Sequence, residues 1–135
     1  MTAVLVDSNV LLDVMTEDQR WLAWSAGALE RAADSFRLLI NPVIYAEVSI
    51  RYSRIEDLDA ALPKAMFERE AIPYEAAFLA GKCFLAYRRR GGMRRSPLPD
   101  FFIGAHAAVA GYRLMTRDAA RYRSYFPKLS LIAPD

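Results

Sequence analysis

The chain has 135 residues, with 18 basic and 16 acidic side chains and a formal net charge of +2. Its apolar share of 54% can build a hydrophobic core, and its charged share of 25% is ordinary for globular proteins, which excludes a mostly disordered chain. A single cysteine, Cys83, excludes an internal disulfide and favours a reducing cytoplasm. The sequence begins without a signal-peptide pattern, and its longest mostly apolar run, 101–112, is shorter than the roughly 20 residues of a membrane span. We therefore expect one domain over residues 1–135 in a cytoplasmic protein with no membrane partner.

The first half of the chain alternates short apolar runs with helical patterns. Asn41-Pro42 supplies a helix N-cap followed by proline at the first helical position. In chain order we expect a strand at 3–6, helices at 10–14 and 20–34, a strand at 37–40, and helices at 42–52 and 55–66.

The second half continues the alternation around a glycine- and proline-containing loop. A helix at 74–90 has an apolar side formed by Ala77, Phe78, Gly81, Phe84 and Leu85. The elements expected in order are a strand at 67–72, this helix, a helix from Asp100 to about 111, a strand at 113–116, a helix at 119–125 and a strand at 129–132.

Short apolar strands that alternate with helices predict an α/β fold. Right-handed crossovers make the central sheet mostly parallel, with helices covering both faces. Ligands of such sheets bind beyond the carboxyl ends of the strands. We therefore expect a functional site at that edge.

Four acidic residues are predicted at or near this edge. Asp7 directly follows the first strand, and Asp118 follows the strand at 113–116. Asp100 begins the most apolar helix, and Glu47 lies on a mostly apolar side of the helix at 42–52. Carboxylates brought together without a cation would repel one another, whereas Mg²⁺ or Mn²⁺ takes oxygen ligands of this kind. The pattern predicts a site where a metal-activated water attacks a phosphodiester.

Each acidic residue also has a purely structural explanation. Asp7, Asp100 and Asp118 precede helices and could act as N-caps, and Glu47 could pair with Arg51 one helical turn later. In the catalytic interpretation, supporting roles that orient the carboxylates or a water fall to Ser8, Asn9 and Thr116.

The motifs around these acids resemble those of PIN domains, particularly the VapC toxins of bacterial and archaeal toxin–antitoxin pairs. Segment 6–13 (VDSNVLLD) is similar to the family's opening motif, with Ser8 in place of the usual threonine. Segments 41–47 (NPVIYAE), 99–107 (PDFFIGAHA) and 114–118 (LMTRD) resemble the three that follow. Gly104 stands where alanine is commoner and should loosen its helix slightly.

The resemblance implies a single PIN-like nuclease domain, a three-layer α/β/α sandwich on a mostly parallel sheet. It further implies that Asp7, Glu47, Asp100 and Asp118 gather around Mg²⁺ or Mn²⁺. The implied activity is endonucleolytic cleavage of RNA, and the implied partners are the RNA substrate, a cognate antitoxin and a second copy of the chain. We expect His106, the only histidine, to be a packed helix residue without a catalytic role.

Clustered arginines are candidates for binding the RNA backbone. Such runs are often only solvated surface, but an RNA partner favours phosphate contacts that weaken with salt. The candidates are Arg88, Arg89, Arg90, Arg94, Arg95 and Arg117.

Three other interpretations compete. A phosphatase of the haloacid dehalogenase type needs a second aspartate two positions after Asp7, where Asn9 stands. A receiver domain needs an acidic pair after the first strand and a lysine after the last, and 132–135 contains no lysine. A nucleic-acid-binding module without catalysis is disfavoured because all four acidic positions are intact.

Overall fold

The computed structural model of the chain describes residues 2–91 and 98–134. Within them the central sheet has five strands, β1 (Ala3–Val6), β2 (Arg37–Ile40), β3 (Phe67–Arg69), β4 (Arg113–Met115) and β5 (Leu131–Ile132). The helices are α1 (Ser8–Met15), α2 (Leu22–Ala33), α3 (Pro42–Ser49), α4 (Ile55–Ala61), α5 (Tyr74–Arg89), α6 (Leu98–Ala110) and α7 (Ala119–Tyr125). None of the helices in this part of the chain combines the length and apolar character needed to cross a bilayer.

The strands form one sheet in the order β3-β2-β1-β4-β5, and every neighbouring pair is parallel. Helices pack on this sheet to give a three-layer α/β/α sandwich, as predicted. All four residues of β1 are buried, because a central parallel strand is covered on both faces. This explains why β1 is a continuous apolar run.

The strand order places a topological switch point between β1 and β4. From β1 the chain adds β2 and β3 on one side, then returns to β4 on the other side and continues to β5. Connections that leave in opposite directions open a crevice at the carboxyl ends of the two central strands. Residues that follow β1 and β4 therefore face a natural binding position.

Most predicted elements are found, with corrections at their ends. Helix α4 ends at Ala61 instead of 66, because Pro63 disfavours helical backbone in the residue before it. Helix α3 ends at Ser49 instead of 52, and α6 begins at Leu98, two residues before Asp100. Strands β3 and β5 are shorter than predicted.

The buried side of α5 differs from the apolar side that the sequence indicates. Ala76, Ala80 and Cys83 face the core, whereas Phe78 is 69% exposed and Leu85 is 42% exposed. Small side chains allow α5 to pack closely against α6, while Phe78 and Leu85 are left at the surface.

Candidate active site

Asp7 lies at the switch point between the two central strands. It directly follows β1, and its backbone N–H donates to the carbonyl oxygen of Met115 at the end of β4, over 2.9 Å. Thr116 follows β4 and is fully buried beside it. The register of the two strands thus fixes both side chains at the carboxyl edge of the sheet.

The carboxylate of Asp7 is 2% exposed and accepts several hydrogen bonds at one oxygen, Oδ2. Its donors are Thr116 Oγ1 at 2.8 Å, Tyr122 Oη at 2.9 Å and Asn9 Nδ2 at 3.3 Å. Asp7 occupies the N-cap position of α1, but its side chain makes no capping hydrogen bond. Burial, together with the nearby charges of Asp100 and Glu47, raises the pKa of Asp7 from 3.8 to about 6, against the opposing effect of the hydrogen bonds.

Glu47 reaches the same region from α3. The Ser8 hydroxyl donates to Glu47 Oε1 over 2.8 Å and also lies 3.5 Å from Asp7 Oδ1. Burial raises the pKa of Glu47, and the charge of Asp100 raises it further. The contact with Ser8 replaces the alternative pairing with Arg51 that the sequence allowed.

Asp100 approaches the cluster from the first turn of α6. Its Oδ2 forms an ion pair with Nη1 of Arg121, and its Oδ1 lies 3.3 Å from the hydroxyl of Tyr122. The Asp100 side chain is 20% exposed and that of Arg121 is 49% exposed, so the pair lies at the mouth of the site. Asp7, Glu47 and Asp100 are therefore brought together.

Asp118 differs from the other three acids because it is exposed. It occupies the N-cap position of α7 without a capping hydrogen bond from its side chain. Its backbone N–H donates to Thr116 Oγ1 over 3.1 Å, which places it beside the site, and its charge acts on Arg121. The structure thus places Asp118 at the rim, outside the buried cluster.

The donor set matches the chemistry of a hard divalent cation. The charge of Asp100 raises the pKa of both Asp7 and Glu47, so a positive charge between these carboxylates would relieve an existing repulsion. As the side chains stand in residues 2–91 and 98–134, no three Asp, Glu, His or Cys residues are close enough to ligate one ion. Side-chain rotation is therefore required before several of these acids can share a cation.

The predicted arginines have different environments. Arg88, Arg89 and Arg90 are exposed at the end of α5, with Arg88 over the ring of Phe84 and Arg90 over the ring of Tyr125. Arg94 and Arg95 lie outside the described residues.

Arg117 is engaged in an ion pair with a buried acid. Its Nε donates to Asp13 Oδ2 over 2.8 Å, and its guanidinium stacks over the ring of Trp21. Asp13 is 2% exposed and also accepts from Ser25 over 2.7 Å.

Sequence reasoning missed two members of the site, Tyr122 and Arg121. Tyr122 is 2% exposed, and only its hydroxyl distinguishes it in the sequence from an ordinary core aromatic of α7. Arg121 belongs to a basic group near the end of the chain that gives no sign of an internal ion pair. Both residues lie on the helix that directly follows Asp118, and this position is the feature of the sequence that could have identified them.

His106 is a packed helix residue, as predicted. It is fully buried, and its ring nitrogens lie 3.0 Å from Asn41 Nδ2 and 2.9 Å from Glu70 Oε2. These contacts tie α6 to the ends of β2 and β3. His106 therefore stabilises the carboxyl ends of β2 and β3.

Comparisons with known proteins agree with this fold. The sequence profile described as PIN domain matches residues 4–126. A chain of VapBC2 from Rickettsia felis, bound to a DNA fragment from its promoter, is similar over 99% of this chain and 100% of its own, with a TM-score of 0.74 and 16% identity. A chain of VapBC-1 from nontypeable Haemophilus influenzae matches over 98% of both chains, with a TM-score of 0.72 and 15% identity. A chain of DNA-bound VapBC from Salmonella typhimurium matches over 98% of both chains, with a TM-score of 0.69 and 16% identity. No curated protein matches this sequence.

Proposed function

Because the chain belongs to the PIN domain family, we propose that it is a Mg²⁺- or Mn²⁺-dependent endoribonuclease that acts in the cytoplasm as the toxin of a toxin–antitoxin pair. The observation that carries the proposal is the convergence of Asp7, Glu47 and Asp100 at the switch point of the parallel sheet. A cluster of mutually repelling carboxylates destabilises the folded protein, and binding a cation is a function that would account for it.

The chain's own residues would hold and orient the cation. Asp7, Glu47 and Asp100 would bind it, and Asp118 would join them from the rim. When bound, the cation polarises a phosphodiester oxygen and makes a water easier to deprotonate. Thr116 and Tyr122 fix the carboxylate of Asp7, and Ser8 holds Glu47 beside it.

The test is cleavage of structured RNA with Mg²⁺, with Mn²⁺ and with a chelator. We expect cleavage only with metal, and we expect Asp7→Asn to abolish it while the protein stays folded. Asp34→Asn is a matched control, because Asp34 is exposed at the end of α2. Equal RNA degradation with chelator, or full activity of folded Asp7→Asn protein, would refute the nuclease proposal. RNA binding without any cleavage would favour the non-catalytic module instead.

Arg88, Arg89 and Arg90 are proposed to hold RNA phosphates near this site. They are exposed at the end of α5, which packs against the helix that carries Asp100. Replacing all three by glutamine should weaken RNA binding and reduce its dependence on salt. Unchanged affinity and salt dependence would show that these arginines do not bind the substrate. Replacing Arg94 and Arg95 by glutamine would test those two residues in the same way. Arg117 already forms an ion pair with Asp13.

An antitoxin partner is supported by the solved assemblies to which the chain is similar, which are VapBC complexes. We expect a small neighbouring gene whose product co-purifies with this chain and suppresses RNA cleavage. Cleavage that the neighbouring product leaves unchanged would contradict the toxin role without affecting the nuclease proposal.

A homodimer is supported by the exposed side of α5. Tyr74, Phe78, Gly81 and Leu85 recur at intervals of three or four residues, and we call this set the α5 stripe. Tyr74 is 90% exposed and Phe78 is 69% exposed, which is unusual for aromatic residues unless a partner covers them.

The spacing of the α5 stripe fits an antiparallel partner copy. If two α5 helices run antiparallel with Phe78 against the partner's Leu85, the same apolar contact is repeated on the other side of the two-fold axis. Gly81 falls close to the axis of this pairing, and nothing in its own chain lies within 4 Å of an added Cβ. The α5 stripe is thus self-complementary.

A further inference from the structure

The ion pair between Arg121 and Asp100 places a positive charge of the protein at the mouth of the acidic cluster. Asp100 is one of the three acids that converge there, and its charge acts on both Asp7 and Glu47. Arg121 also interacts with the charge of Asp118 at the rim. One guanidinium therefore interacts with both an inner and an outer acid of the candidate site.

We propose that Arg121 is a built-in counter-ion that competes with the divalent cation for Asp100. This inference rests on the proposed metal-dependent function. In the metal-free protein Arg121 compensates part of the negative charge that Asp7, Glu47 and Asp100 concentrate. A cation carries out the same electrostatic task, and its binding would displace Arg121 from Asp100.

The position of Arg121 on α7 allows its guanidinium to leave Asp100 without a movement of the helix. Its neighbour Tyr122 is buried and anchors the helix to Asp7, so the backbone of Arg121 stays in place when the guanidinium moves. The Arg121 side chain is 49% exposed, which gives it room to turn toward solvent. Arg121 is thus a positioning residue that holds Asp100 until metal arrives.

If Arg121 competes with the cation, loss of its side chain should strengthen metal binding. Arg121→Gln should bind Mn²⁺ about three- to fivefold more tightly than the wild type in calorimetry, which is the size expected for release of a half-exposed ion pair. Arg123→Gln removes the same charge from the same helix, and Arg123 is exposed. It should change the affinity for Mn²⁺ much less. Arg121→Lys should fall between the wild type and Arg121→Gln, because lysine keeps the charge but loses the planar donor group.

Stability supplies a second measurement that a structural role alone would not reproduce. Without metal, Arg121→Gln should unfold at a lower temperature than the wild type, because Asp100 loses its ion pair at the mouth of the acidic cluster. Saturating Mn²⁺ should reduce this difference, since in both proteins the cation replaces the guanidinium.

The outcomes separate this inference from the proposed function. Wild-type protein that binds Mn²⁺, with Arg121→Gln and Arg123→Gln showing equal affinities, would overturn the counter-ion role and leave the nuclease proposal intact. Absence of Mn²⁺ binding in the wild type and in Arg121→Gln would overturn both. Tighter binding by Arg121→Gln alone would support the inference.

Discussion

The hydroxyl of Tyr122 donates a hydrogen bond to the buried carboxylate of Asp7 over 2.9 Å, across 115 positions of the sequence. The contact joins the last helix to the end of the first strand. It places a neutral donor of α7 beside the most strongly buried acid of the candidate site. Anything that changes this hydrogen bond should therefore affect both the charge of Asp7 and the packing of α7.

Tyr122→Phe should destabilise the protein and raise the pKa of Asp7 further. The hydrogen bond favours the charged carboxylate, so its loss shifts Asp7 toward the protonated form. We expect a loss of about 1–2 kcal/mol in the free energy of unfolding, measured by urea denaturation at a pH above 6. Tyr125→Phe on the same helix is the control, because the Tyr125 ring packs on Phe101 and keeps that contact. Equal losses in the two variants would contradict the special role of the Tyr122 hydroxyl.

Asp7→Asn should stabilise the metal-free protein at high pH. The folded pKa of Asp7, about 6, is above the 3.8 of an unperturbed carboxyl, so the wild type loses stability as pH rises from about 4 to 6. Above this window the wild type has lost about 3 kcal/mol of its free energy of unfolding. The asparagine variant has no charge at this position and does not incur this loss.

The measurement is the melting temperature of both proteins against pH in the presence of a chelator. The advantage of Asp7→Asn should grow between pH 4 and 6 and then stay constant. If divalent metal binds the site, Mg²⁺ should raise the melting temperature of the wild type and leave the variant unchanged. A difference between the proteins that is independent of pH would show that Asp7 ionises normally.

The sequence predicted the layers of the fold, because these follow from short-range patterns. It predicted that four acids meet at one edge of the sheet, and the structure brings three of them together and leaves Asp118 at the rim. Apolar runs such as 3–6 identify buried strands, and parallel strands bring their carboxyl ends to one edge. It could not predict which face of α5 is buried, since that depends on how closely α6 approaches. It also could not distinguish Arg117, which neutralises a buried acid, from Arg89, which is exposed. Those differences arise only from contacts between distant segments.

This contrast between arginines leads to a third prediction. Arg117→Ala should lower the free energy of unfolding by about 2–3 kcal/mol, because it leaves the carboxylate of Asp13 buried without its cation. Arg89→Ala should change stability by less than about 0.5 kcal/mol, as expected for an exposed side chain. Chemical denaturation of the two variants tests this directly. A similar stability for both would mean that the pair of Arg117 and Asp13 contributes little.

Gly104→Ala should destabilise the protein, although alanine is the better helix former. A Cβ at Gly104 would overlap the ring of Phe126, which is 7% exposed in the core. The expected loosening of α6 by glycine is thus offset by close packing that only glycine permits. We expect a net loss of about 1–2 kcal/mol, because overpacking exceeds the gain of about 1 kcal/mol in helix propensity. Gly81→Ala, at an exposed helical glycine with open space, should instead be neutral or stabilising in thermal unfolding.

The last prediction concerns the α5 stripe. Gly81→Cys should form a disulfide between two copies under mild oxidation, because the proposed antiparallel pairing brings the two positions together near its axis. The native Cys83 is buried and gives little background. Ser53→Cys, at an exposed position outside the stripe, should stay monomeric on non-reducing gels.

A charge placed in the stripe tests the same pairing without cross-linking. Phe78→Glu should weaken the dimer in sedimentation experiments, since it places a carboxylate against the partner's apolar Leu85. Ser53→Glu, at an exposed position outside the stripe, should leave association unchanged. A dimer that forms equally well in all these variants would assign self-association to another surface, and a wild type that remains monomeric would exclude the pairing altogether.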